Sequence, residues 1–145
     1  MRILVLSDSH LHSIKLDFTS YDYIIHCGDG NKLNKADNIY TVRGNCDFRG
    51  DKELIISINN KKLLITHGDL YNVKYGYTRL SYRALEAEVD LCLFGHTHIA
   101  DVFEFENMIF INPGAYQDGY YVEILDDKIC FYYNDKCYKE YSYKW

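Results

Sequence analysis

Short apolar runs that stop abruptly at polar residues or glycine set the rhythm of the first hundred positions. Ile3 to Leu6 ends at Ser7-Asp8-Ser9-His10, Tyr23 to Cys27 at Gly28-Asp29, Ile39 to Val42 at Arg43-Gly44-Asn45, and Leu91 to Phe94 at Gly95-His96. Continuous apolar runs of this length read as buried strands. Leu54 to Ile58 and Leu63 to Thr66 flank Asn59-Asn60-Lys61, a hairpin signal, and the second run ends at His67-Gly68. Five strands thus deliver polar residues at their carboxyl ends, the edge over which open α/β sheets build active sites.

Between Val73 and Asp90 the apolar positions Val73, Tyr77, Leu80, Ala84 and Ala87 recur every three to four residues, which predicts a helix. Shorter helices are expected near Ile14 to Phe18 and Asn31 to Ala36. From Asp101 the texture changes to alternating runs, Val102 to Phe105, Met108 to Ile111, Tyr120 to Leu125, Ile129 to Tyr133 and Cys137 to Tyr143, punctuated by Asn107, Asp126-Asp127 and Asn134-Asp135. These predict a meander of antiparallel strands. No linker, repeat or low-complexity block interrupts the chain, so residues 1–145 are expected to form a single α/β domain.

Composition narrows the classes. With 145 residues, 48% hydrophobic and 26% charged, the chain can bury a core. A formal net charge of −5 argues against stable nucleic-acid binding, which needs a surplus of Lys and Arg. The run from Ile3 to Leu6 is too short for a signal-peptide core or a membrane span. Five cysteines without C-x-x-C spacing indicate neither a disulfide framework nor a thiolate zinc site, so a cytoplasmic protein is expected. Eight of the fifteen tyrosines follow residue 115, which leaves open a shared oligomer face beside the plainer reading of half-exposed strands.

The strand-end residues Asp8, His10, Asp29, Asn45, His67, His96 and His98 can all offer oxygen or imidazole nitrogen to a metal. Singly, each reads more readily as a turn or cap residue than as a ligand. Seven of them after five strands do not. In order, Asp8-Ser9-His10, Gly28-Asp29, Gly44-Asn45-Cys46-Asp47, His67-Gly68 and Gly95-His96-Thr97-His98 resemble the D-x-H, G-D, G-N-x-D, H-G and G-H-T-H blocks of the calcineurin-like metallophosphoesterases, in their small single-domain microbial phosphodiesterase branch. Asn112-Pro113-Gly114 also resembles a loop of that branch.

The resemblance implies a four-layer sandwich of two mixed β-sheets flanked by helices, with antiparallel C-terminal strands. It also implies two divalent transition-metal ions: Asp8, His10 and His98 on one, Asn45, His67 and His96 on the other, and Asp29 bridging. An oxygen and nitrogen donor set suits Mn first, with Ni, Fe or Zn as alternatives. The expected reaction is hydrolysis of a small phosphodiester by in-line attack of a metal-bridging hydroxide, without a phospho-enzyme. Phosphomonoester or nucleotide pyrophosphate hydrolysis is the alternative, and a protein-binding scaffold like the retromer subunit is the alternative of another class. Filled ligand positions argue against the scaffold.

Within the third block, Cys46 stands where many relatives carry histidine. A thiol cannot carry positive charge and is a weak donor, so general-acid help to the leaving group is expected to be poor. Asp47 is expected either to orient a histidine or to close a turn. Asp29, Asn45, Cys46 and Asp47 form the expected catalytic group. His12 is read as a solvated loop residue, His26 as a satisfied interior histidine, and Cys27 and Cys92 as small buried hydrophobes. Asp69 replaces a histidine common in relatives, and the stretch from Leu11 to Ser20 is short for a first helix.

Overall fold

A computed structural model describes residues 1–30 and 33–145. Among the described residues, eleven strands form two sheets: β1 (Ile3–Leu6), β2 (Tyr23–His26), β3 (Ile39–Thr41), β4 (Glu53–Ile58), β5 (Lys61–Thr66), β6 (Leu91–Leu93), β7 (Asp101–Phe105), β8 (Met108–Asn112), β9 (Tyr120–Ile124), β10 (Lys128–Tyr133) and β11 (Lys136–Ser142). The six-stranded sheet runs β11-β10-β9-β1-β2-β3 and the five-stranded sheet β4-β5-β6-β8-β7. Both are mixed. In the first, β1, β2 and β3 are parallel while β9 runs antiparallel to β1; in the second, β5, β6 and β8 are parallel.

Alternation within the apolar runs explains why both sheets are buried. Ile3, Val5, Leu63, Ile65, Leu91 and Leu93 face the shared core between the sheets. Their neighbours Leu64 and Cys92 turn outward under the helix, with Phe94 at the end of β6, while Leu4 and Leu6 turn to the opposite outer face. Strands covered on both faces need no polar alternation, which is why they read as continuous runs.

The antiparallel tail is divided between the sheets. β7 and β8 form a hairpin in the five-stranded sheet, and only β9 to β11 form a meander, placed beside β1 in the other sheet. Parallel pairing of β8 with β6 is a long-range choice that alternating residues cannot encode. The hairpin turns were legible: Asn59-Asn60, Glu106-Asn107 and Asn134-Asp135 all adopt left-handed backbone.

Helices are fewer than expected. α1 spans only Thr78–Glu86, with Leu80, Ser81 and Ala84 buried. Gly76 at φ 123° detaches the 3₁₀ turn Val73–Tyr75 from it, and Glu88 at φ 54° ends it. The expected helix at Ile14 to Phe18 is irregular chain leading into a 3₁₀ turn, Phe18–Ser20, capped by Asp17 accepting from the Thr19 amide. Its apolar residues Ile14, Leu16 and Phe18 still cover Leu4, Leu6 and Ile24. Of the helix expected over Asn31 to Ala36, Asn31 and Lys32 lie outside the described residues and 33–36 are not helical.

The tyrosines after residue 115 do not share one face. Tyr121 and Tyr132 stack 4.8 Å apart on the outer side of the six-stranded sheet, whereas Tyr120, Tyr133 and Tyr138 gather beside the loop after β6.

Candidate metal centre

Parallel strands in both sheets end at the same edge, and there the loops knit together. The Asp8 amide donates to the Gly28 carbonyl, the His10 amide to Asp29, and the Gly95 amide to His67. Five of the seven expected ligands adopt left-handed backbone: Asp8 (φ 52°), His10 (49°), Asp29 (59°), His96 (71°) and His98 (63°). Non-glycine residues are uncommon in this region, so its concentration at one edge marks a functional site.

Two groups of ligating atoms result. His98 Nε2 lies 3.2 Å and His10 Nε2 3.9 Å from Asp8 Oδ1. Around His67 Nε2 are Asn45 Oδ1 at 3.0 Å, His96 Nδ1 at 3.2 Å and Asp29 Oδ2 at 3.2 Å. Asp8 Oδ1 is 3.8 Å from the same His67 nitrogen, so the groups adjoin. Single ligand atoms of Asp8, His10 and His98, and of Asp8, Asp29 and His67, lie within 4.8 Å of one another.

Hydrogen-bond bookkeeping shows that these atoms fit a cation. His67 Nδ1 lies 2.8 Å from the Cys27 carbonyl, which can only accept, so Nδ1 carries the proton. Neutral His67 then directs the Nε2 lone pair at oxygens and another imidazole nitrogen. Asp8 is fully buried, and its Oδ1, like His10 Nε2, has no hydrogen-bond partner among the described residues despite the nearby nitrogens. Buried acceptors are rarely left unpaired, and a metal ion satisfies several at once.

The groups of this cluster also shift one another's affinity for protons. Burial disfavours protonated His67, but its hydrogen bond to Asp29 and the charges of Asp8 and Asp29 prevail, leaving its pKa raised. For Asp29, burial pushes upward, yet hydrogen bonds from His67 and the Cys46 amide pull the carboxyl down to about 2. His96 is lowered by burial and then by the His67 charge.

The supporting residues are specific. Asp8 Oδ2 accepts from Ser7 Oγ at 2.6 Å and from the His96 amide at 3.1 Å, tying β1 to the loop after β6. Asn112 Nδ2 donates to the Gly95 carbonyl at 3.2 Å and to Thr97 Oγ1 at 2.9 Å, which fixes that loop from the Asn112-Pro113-Gly114 side. Ser7 is a support with no motif of its own; its place in the sequence next to Asp8 is the signal that marks it. Close approach explains two of the motif glycines: a methyl group at Gly44 would lie 2.1 Å from Asp29 Oδ1, and one at Gly95 would lie 2.0 Å from Ser7 Oγ.

Asp47 orients no histidine through a hydrogen bond. Its carboxylate accepts from three backbone amides, Asp29 at 2.8 Å, Gly30 at 3.1 Å and Gly44 at 2.8 Å, and so joins the loops after β2 and β3. Its own turn supplies only one of the three, which the sequence could not reveal. His26 is fully buried and accepts from the Gly28 amide through Nδ1, so Nε2–H donates to Ser9 Oγ at 2.9 Å, which donates on to the Gly30 carbonyl. Burial holds it neutral, with its pKa lowered to about 4. Cys27 and Cys92 are buried as expected, and His12 is exposed.

Cys46 is exposed and, with His10, Asp29, Phe48 and Arg49, lines a cleft of about 710 Å³. Desolvation and then the Asp29 charge raise the thiol pKa, which disfavours a thiolate nucleophile. A second cleft of about 590 Å³ meets the centre at His98. The two clefts have no lining residue in common.

Comparison with known proteins agrees with this geometry. The sequence model of the calcineurin-like phosphoesterase superfamily domain matches residues 1–121. The probable metallophosphoesterase YsnB of Bacillus subtilis is 37% identical over 126 residues, covering 79% of this chain and 75% of that protein. A predicted phosphoesterase of Streptococcus pneumoniae, known as a crystal structure, superposes with a TM-score of 0.82 at 28% identity, over 98% of this chain and 97% of its own. Wild-type Vps29 of Entamoeba histolytica, crystallised with Zn, has a TM-score of 0.67 at 20% identity over 98% of this chain and 92% of its own; that likeness shows the fold alone.

Proposed function

The chain belongs to the calcineurin-like phosphoesterase superfamily, and on that premise we propose that it hydrolyses phosphodiesters at a pair of divalent transition-metal ions. The observation that carries the reading is the set of seven ligating side chains at five strand ends, whose lone-pair atoms face one another with Asp8 Oδ1 and His10 Nε2 buried and unpaired. Asp8, His10 and His98 are assigned to one ion and Asn45, His67 and His96 to the other. Asp29 is assigned as the bridge, because its Oδ2 is 3.2 Å from His67 Nε2 and it also groups with His10. Metal ions bound there supply Lewis acidity and a water acidic enough to be deprotonated near neutral pH. Nitrogen and oxygen donors favour Mn, with Ni, Fe or Zn as substitutes.

The residues of the chain position and neutralise. Asp8 and Asp29 offset the charge of the cations, Ser7 and the Cys46 amide hold the two carboxylates, and the exposed face of Asn45 and Cys46 leaves room for a phosphoryl group. Preference for diesters over monoesters or pyrophosphates rests on the presence of separate clefts that border the centre through different residues, one at His10 and Asp29 and another at His98, since a diester carries two substituents on phosphorus. All five cysteines are free thiols, which suits a reducing cytoplasm. Among the described residues, no helix is long and apolar enough to cross a membrane. A scaffold role is disfavoured because every ligand position holds a residue able to ligate.

The test strips metals with a chelator and adds back Mn, Ni, Zn or Mg. Bis(4-nitrophenyl) phosphate is then assayed against 4-nitrophenyl phosphate. Restored diester hydrolysis that Asp29→Ala abolishes is expected. Preference for the monoester in every metal would overturn the diester assignment, and no hydrolysis with any metal would overturn the enzyme reading.

A further inference from the structure

Beside the metal centre lies a groove whose chemistry the hydrolysis of a phosphate ester does not itself require. Tyr120, Tyr133, Tyr138 and Lys136 from the β9–β10–β11 ribbon face Ile99 and His98 from the loop after β6, around a volume of about 590 Å³. His98 belongs to both the groove and the cluster around Asp8. We propose that this groove holds the nucleoside arm of a phosphodiester, its base against the tyrosine rings, while the phosphorus lies at the metal centre.

Exposure is the first argument. Tyr133 and Tyr138 leave 44% and 50% of their surface open, and Ile99 66%, whereas Tyr121 and Tyr132 on the other face of the ribbon stack on each other and Tyr121 is buried. Aromatic surface gathered in a concave site, with one cation and few other charges, fits a planar ring attached to an anion. Lys136 supplies the cation; it has no acidic partner among the described residues.

Rigidity is the second argument. Tyr120 packs on Tyr133 at 4.7 Å and meets Tyr138 edge-on at 6.2 Å, so the rings are set before a ligand arrives. Gly114 at φ 82° makes that placement attainable, because a methyl group there would lie 2.8 Å from Tyr120 Cβ. The loop that carries Gly114 is also the one whose Asn112 fixes the Gly95 to Thr97 segment, so groove and centre share one support. The other cleft offers Phe48 and Leu11 instead, 95% and 88% exposed, with no ring packed against Phe48 among the described residues. Ordering such side chains costs entropy that the fixed tyrosines have already lost on folding.

The inference rests on the phosphodiesterase reading, and its test separates the two. Metal-loaded protein is assayed on adenosine 5′-(4-nitrophenyl phosphate) and on methyl 4-nitrophenyl phosphate, which share a leaving group and differ only in the retained arm. The ratio of their kcat/KM values is expected to favour the nucleoside by about 5- to 100-fold, the range that base–aromatic stacking supplies, mostly through KM. Tyr138→Ala and Tyr133→Ala should collapse that ratio, and Tyr133→Phe should keep it. In metal-free protein, adenosine 5′-monophosphate should shift the NMR methyl signals of Ile99 and Ala100. Equal kcat/KM for the two diesters, or shifts confined to the Leu11 and Phe48 cleft, would overturn the groove assignment while leaving the phosphodiesterase reading intact. Hydrolysis of neither diester would sink both.

Discussion

Replacing Asp47 tests whether one carboxylate holds the metal-binding edge together. Its oxygens accept from the amides of Asp29, Gly30 and Gly44, and Asp29 and Gly44 are themselves buried. Alanine leaves those two amides without a partner, at about 1.5 kcal/mol each for a bond to a charged acceptor. The expected loss is about 3 kcal/mol. With an unfolding entropy of about 2.1 cal/mol/K per residue, a 145-residue chain should melt about 10 °C lower. Asparagine keeps one oxygen for the Asp29 and Gly44 amides but turns an NH₂ group toward the Gly30 amide, so roughly half that loss is expected. Thermal melts and urea titrations with chelator present read this directly, because bound metal would otherwise add its own stabilisation. An Asp47→Ala protein melting within about 2 °C of the parent would refute the staple.

Two further outcomes follow from neighbouring groups. His26 stays neutral in the folded protein down to about pH 4, whereas the unfolded chain takes up the proton near 6.5; its contribution is therefore complete above pH 6.5 and lost as pH falls toward 4, roughly 3 kcal/mol at most. Urea midpoints of the parent and of His26→Gln should diverge across that window, and parallel curves would refute the assignment. Cys46→His should speed hydrolysis of diesters with alkyl leaving groups about tenfold while changing activated aryl esters little, since only poor leaving groups need a proton; an unchanged leaving-group dependence would remove the general-acid argument.

Strand ends were legible because burial on both faces leaves a simple signature, as at Leu63 to Thr66, where Leu63 and Ile65 face one core and Leu64 the other. The same simplicity hid the pairing. Met108 to Asn112 and Tyr120 to Ile124 look alike in sequence, yet β8 joins β6 in parallel and β9 joins β1 antiparallel. Helix length was overread for a local reason: apolar spacing continues from Val73 to Ala87, but Gly76 lets the chain turn where the 3.6-residue pattern alone suggests continuity. That Asp8, His10, Asp29, Asn45, His67, His96 and His98 gather at one edge was readable from residue type at strand ends. The partners of Asp47 and Asn112 were not, since most of what they hold are backbone groups of distant loops, and backbone carries no letter in the sequence.

On the proposed assignment of ligands, metal binding and backbone shape at this edge are two demands met by the same residues. Asp8, His10, Asp29, His96 and His98 all take positive φ, a conformation that costs an ordinary L-residue about 1 to 2 kcal/mol. Asp, Asn and His are the non-glycine types most enriched there, and they are also oxygen and nitrogen ligands. A sharp reversal directly after a buried strand lets the side chain return over the sheet end, where Asp8 and His67 meet across two different sheets. β-branched residues would satisfy neither demand. The short D-x-H, G-D and G-H-T-H blocks are thus compact because each must both turn the chain and offer a lone pair, while the glycines between them admit the ligand from the facing loop, as Gly44 admits Asp29.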